Sequence, residues 1–167
     1  MIRKMKKILL CFVAMTAMVA CGNKQTAAPA EGDGARNVVA FEVARNYFFN
    51  QSSEEDLQGK NGQEILISPK ITSEEEFNRL FGMATMMGKD GKPTEIDFSK
   101  QFVLAIVLSV TDYATEINPV KVEETGDTLF YTYEIIHGEK RTYSIQPISI
   151  IILDKKYADK EVVLSES

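Results

Sequence analysis

Cysteine, histidine and tryptophan are scarce in this chain, and each scarcity removes a class of chemistry. Tryptophan is absent, histidine occurs once, at His137, and the two cysteines, Cys11 and Cys21, both fall within the first 21 of 167 residues. A domain built from the remainder has no thiol for a disulfide, a cysteine nucleophile or a cysteine metal site. A Ser-His-Asp triad or a histidine-built zinc centre must run through His137 or fail. His137 stands between Ile136 and Gly138, a sequence that reads as an exposed hairpin turn rather than a catalytic position. No glycine-rich phosphate loop follows a strand, and no Gly-x-Ser-x-Gly occurs. No stretch beyond the first residues gathers Lys or Arg without interleaved carboxylates, so the basic face that nucleic acid requires is missing. No catalytic residue, metal or cofactor is expected.

A membrane-spanning run is also lacking. The longest early apolar stretch, from Ile8 to Ala20, follows Arg3, Lys4, Lys6 and Lys7. It is too short for a span of ~20 apolar residues and has the form of an export signal covering residues 1–20. Its end, Met18-Val19-Ala20-Cys21-Gly22, resembles the bacterial lipobox, in which a small residue precedes the cysteine that becomes the lipidated N-terminus. The resemblance implies acylation of Cys21 and anchoring in a bilayer, since each buried methylene contributes ~0.8 kcal/mol. Gly22 stands where an inner-membrane retention signal usually has Asp, which points to the outer membrane of a Gram-negative bacterium. Removing residues 1–20 leaves 15 Lys and Arg against 24 Asp and Glu, a net charge of −9.

Residues 22–36 contain no large apolar side chain. Such a segment cannot bury enough surface to offset its ordering entropy, and as a coil it reaches ~20 Å, so residues 21–36 read as lipidated Cys plus tether. Residues 37–167 are then one α+β domain, expected as a mostly antiparallel β-meander with one principal amphipathic helix packed on it. Val39, Phe41, Val43, Tyr47 and Phe49 alternate and predict one strand over 38–49, followed by a long exposed hairpin loop from Asn50 to Gln63. Thr72-Ser73-Glu74-Glu75-Glu76 precedes Phe77, Leu80, Phe81 and Ala84, a capping box followed by a helical stripe. Met83, Met86 and Met87 close that stripe and read as adaptable packing rather than copper ligands. The apolar run from Phe102 to Leu108 predicts a strand covered on both faces. Further strands are expected at 115–123, 128–136 and 141–153, with Pro119 and Pro147 marking edges or bulges.

From Ile71 to Tyr157 the chain resembles the C-terminal domain of PrcB-like lipoprotein subunits of surface protease complexes. The residues that carry this are Glu75 to Phe81, Ile96-Asp97-Phe98-Ser99-Lys100, the strand Phe102 to Val110, Val120-Lys121-Val122 and a closing strand after a proline. Where that family has Thr-Gly-Gly-Tyr after the apolar strand, this chain has Thr111-Asp112-Tyr113-Ala114, losing both glycines. The resemblance implies a non-catalytic accessory or interaction module with an envelope protein as partner. Thr111, Asp112 and Tyr113, with His137, form the expected interaction loop. The alternative is a small-ligand or glycan-binding lipoprotein with a pocket between helix and sheet, lined by Tyr131, Tyr133 and Met87. A hydrolase would need paired carboxylates, for which Asp97 and Glu74 to Glu76 are available; an Asx turn and helix capping account for them equally well.

Overall fold

The computed structural model describes residues 36–60, 63–66, 68–84 and 91–167; the export signal, Cys21, the tether up to Ala35, Met86 and Met87 lie outside the described residues. Three short strands open the domain, β1 (Asn37–Val39), β2 (Glu42–Val43) and β3 (Tyr47–Phe49). The single strand expected over 38–49 is therefore broken twice. Asn46 adopts φ 63°, a left-handed conformation that asparagine tolerates better than most residues, and it redirects the chain before β3. The segment expected as a long exposed hairpin loop after Asn50 carries regular structure of its own, a 3₁₀ segment (Gln51–Asp56) and the paired strands β4 (Leu57–Lys60) and β5 (Gln63–Leu66).

After β6 (Lys70–Ile71), the capping prediction holds: α1 (Glu74–Leu80) starts at Ser73, whose hydroxyl accepts the Glu76 N–H at 3.3 Å, and its first turn is acidic. The helix is shorter than its stripe. Phe81 is extended, at φ −126° and ψ 135°, and begins β7 (Phe81–Met83), which pairs with β3. Met83 is exposed rather than packed in the core.

The rest of the chain is one folded ribbon. β8 (Gln101–Val107) leads to β9 (Thr111–Thr125), and β10 (Thr128–Ile145) returns to β11 (Ile148–Asp154) and β12 (Glu161–Glu166), with a 3₁₀ turn at Lys155–Tyr157. β9 pairs with β10 from the Gly126-Asp127 turn up to Thr111↔Ile145, and β8 pairs with β11 starting at Val107↔Ile148. A meander describes only the β9–β10 hairpin. The ribbon bends at 108–110 and 146–147, so its two halves lie in different sheets, ordered β1-β9-β10-β12 and β2-β11-β8-β6. Among the described residues all pairings are antiparallel except β10 with β12.

Alternation along β8 explains the layering. Phe102, Leu104 and Ile106 pack with Ile151 and Leu153 against Val122, Leu129, Tyr131 and Tyr133 of the first sheet. Val103, Ala105 and Val107 pack with Ile150 and Ile152 against Phe49, Phe77, Leu80 and Phe81. β8 is thus buried on both faces, as its apolar run predicts, and each large side chain so buried contributes about 1.5–3 kcal/mol. Tyr131 and Tyr133, expected to line a ligand pocket, are in this packed interior; burial pushes the Tyr131 hydroxyl up to about 12.

Candidate functional site

The strands expected at 115–123 and 128–136 run further, and that extension builds the site. β1 covers the outer edge of β9 only from Val122 onward, and β12 covers β10 only as far as Tyr133. Beyond them, 111–121 and 134–145 form a two-stranded ribbon with no further strand on either edge among the described residues. Pro119 sits at its start, opposite Tyr133, while Lys121 opposes Thr132, so Val120 is an extra, bulged residue as the proline predicts.

His137 is not in a turn. It lies within β10 opposite Thr115, and its Nδ1 is 3.3 Å from the Thr115 Oγ1. Gly138 serves a close approach instead of a turn: a Cβ there would meet the Ala114 carbonyl oxygen at 2.9 Å. The residues 111–114, expected as a loop, are the first of β9. The strand read as 141–153 is split by Pro147, its first part belonging to β10.

At the bend the pairing loosens. Lys140 faces Tyr113 and Ile145 faces Thr111, so five steps on β10 match two on β9 and residues 141–144 bow outward. Tyr143 in that bulge is 58% exposed, and near it Val110 is 53% exposed, Tyr113 48% and Ile136 44%. Charge frames them. Asp112 and Lys140 pair at 2.9 Å, the Lys140 ammonium lies 5.9 Å from the Tyr113 ring centre, and the Tyr113 N–H donates to the Thr111 Oγ1 at 3.2 Å. The Lys140 hydrogen bond holds the Asp112 carboxyl below the usual carboxylate range.

The corner has a cleft on each side. One, of about 220 Å³, is lined by Ser109, Val110, Thr111, Thr115, His137 and Pro147. The other, of about 310 Å³, is lined by Ala114, Glu116, Arg141, Tyr143 and Ile145 together with Thr115. The fold therefore brings Thr111, Asp112, Tyr113 and His137 to one corner, through strand pairing rather than through two loops. Thr115, Lys140 and Tyr143 join them, and sequence reasoning missed all three because the bulge that exposes Tyr143 has no local signature.

Asp97, one of the carboxylates considered for hydrolysis, is held by its neighbours. Asp97 accepts from the Ser99 hydroxyl at 2.5 Å, the Ser99 N–H at 3.0 Å and the Lys100 ammonium at 2.9 Å. The Ser99 hydroxyl first, and then Lys100, hold it at about 2, so it stays ionised at neutral pH and is no proton donor. Asp154, which lines the same shallow cleft as Asp97, caps the following 3₁₀ turn through the Lys156 N–H at 2.9 Å.

No family model, no curated protein and no solved structure matches the chain. Among the described residues the fold is an α+β domain of two four-stranded and two two-stranded sheets with one short α-helix, and the geometry of the ribbon corner carries the functional reading.

Proposed function

We propose that this protein is a lipid-anchored, non-catalytic accessory protein of the bacterial cell envelope, and that the β9–β10 corner docks a protein partner. The observation that carries this reading is the exposure of Tyr113 and Tyr143 on a two-stranded ribbon that no further strand covers among the described residues, with Ile136 exposed on the same ribbon and Val110 in the bend beside it. Water-exposed tyrosines beside a charged frame are the residue types that dominate protein interfaces. The lipobox-like Cys21, the tether and the PrcB-like pattern support a partner held at a membrane surface, a surface protease being the kind of assembly the resemblance implies.

Position along the ribbon supports it too. The segment read as tether joins the domain at β1, which pairs with β9 at Glu124, while Tyr113 lies eleven residues away on the same strand. At ~3.3 Å per residue the corner stands roughly 35 Å from the point of attachment, more than the ~20 Å root-mean-square span of the tether as a coil. Arg36 fixes that attachment: its guanidinium is 3.6 Å from the Glu123 carboxylate and lies 4.5 Å over the Phe130 ring.

Affinity capture of the full chain from native membranes tests the reading. A defined partner should co-purify with the unaltered protein and with Val163→Ser, and be lost with Tyr113→Ala combined with Tyr143→Ala. An identical set of captured proteins for all three would overturn it.

A further inference from the structure

Another cleft, sharing no residue with the corner, lies beside α1. Its volume is about 340 Å³, and it is walled by Phe77 of α1, Tyr47 and Met83 of the β3–β7 pair, and Ile96 and Phe98 of the segment that follows Pro93. The floor is aromatic. Tyr47 and Phe77 meet edge to face at 5.1 Å, and Phe77 and Phe98 lie 5.6 Å apart. The rim is polar, with Glu74 and Glu95 carboxylates, the Asn78 amide and one ammonium, that of Lys92.

The walls are fixed before any ligand arrives. The Tyr47 hydroxyl donates to the Thr94 carbonyl at 2.6 Å, the Arg45 N–H to the Thr94 hydroxyl at 3.0 Å, and the Thr94 N–H to the Arg45 carbonyl at 3.2 Å. Left-handed Asn46 holds both flanks: its side-chain amide donates to the Lys92 carbonyl at 2.9 Å, and its own carbonyl accepts the Ala84 N–H at 2.8 Å. Preorganised walls lower the ordering cost of binding. The two rim carboxylates have no ion-pair or hydrogen-bond partner among the described residues, and Glu95 is near enough to Tyr47 to raise its hydroxyl further after burial has done so.

An aromatic floor under unpaired carboxylates is chemistry for a cation on an apolar stem. We infer that this cleft binds an arginine side chain presented by a partner protein, its guanidinium stacked on the Tyr47 ring and paired with Glu74 and Glu95. A guanidinium suits the site better than an ammonium, because it stacks on a ring and meets carboxylates with a planar fork. Among the described residues the rim carries two negative charges against one positive, which favours this occupant over an acidic one.

The test uses the full chain in detergent, with ¹³C-methyl methionine as the reporter and Met83→Leu to assign its signal. The probe is the peptide acetyl-Ala-Arg-Leu-Ala-amide, with citrulline replacing arginine as the neutral isostere. A saturable shift of the Met83 methyl is expected, with affinity reduced at least tenfold by citrulline and by Glu95→Gln combined with Glu74→Gln. Tyr113→Ala should leave it unchanged, which separates this site from the corner. Equal binding of the citrulline peptide, unchanged affinity in the double variant, or no Met83 shift at 10 mM peptide would each overturn the assignment.

Discussion

Asp112 and Lys140 pair at 2.9 Å across the first rungs of the β9–β10 ribbon, and the same ammonium faces the Tyr113 ring. Both partners are solvent-accessible, so the pair adds little to folding; its consequence is the posture of the corner. Asp112→Asn and Lys140→Met should leave the thermal midpoint essentially unchanged while weakening partner capture. The Asp112 carboxyl is held low by Lys140, so the pair is intact above the ordinary carboxylate range and is lost as pH falls through the lowered value. Partner binding should fall with it, and the acid limb should vanish in Asp112→Asn.

Two glycines separate a yielding neighbour from an unyielding one. A Cβ on Gly82 would lie 2.2 Å from the Phe48 ring, but that ring is half exposed and can swing into solvent. A Cβ on Gly138 would meet the Ala114 carbonyl oxygen, which strand pairing holds in place. Gly138→Ala should therefore destabilise by about 1–3 kcal/mol and Gly82→Ala by less, as measured by urea denaturation.

Gly138 also shows where local signals mislead. His137-Gly138-Glu139 reads as a turn by composition, yet its glycine permits two strands to approach, and only the true turn, Thr125-Gly126-Asp127 with Gly126 at φ 56°, behaves as read. Features fixed within a few residues were legible: the Ser73 cap, the doubly buried β8 and the bulge at Pro119. The two-sheet layering was not, because Val107 pairs with Ile148 across forty residues and no short pattern encodes that contact. At the site, Tyr113 and His137 were legible as individual residues, while the corner that unites them depends on that long-range pairing.

Lys70 fastens β6 to the turn before β12. Its ammonium donates to the Ala158 and Lys160 carbonyls, both at 2.9 Å. Lys70→Met keeps the stem and removes both bonds, leaving two carbonyls short of a donor, and should cost about 1–3 kcal/mol in urea denaturation. Hydrogen exchange at 158–161 should quicken in the same variant.

Stability should decline at both ends of the pH scale for identifiable reasons. Asp97, held at about 2, contributes above the unfolded carboxylate value of about 4, and that contribution is lost as pH falls toward 2; Asp97→Asn should flatten this limb. Tyr131, raised to about 12, contributes fully below about pH 10, and its share is lost as pH rises from 10 to 12. Tyr131→Phe should be nearly neutral at pH 7, since its hydroxyl's hydrogen bond among the described residues, to Ser149, is a long 3.5 Å, and should be more resistant than the parent at alkaline pH.

The most direct measurement for the central claim is site-specific photo-crosslinking in intact cells, with a benzophenone side chain at position 113 or 143 at the corner and at position 163 on β12 as reference. Docking at the corner predicts one discrete heavier adduct from 113 and 143 and none from 163. Monomer alone from the corner positions, or the same adduct from 163, would contradict it.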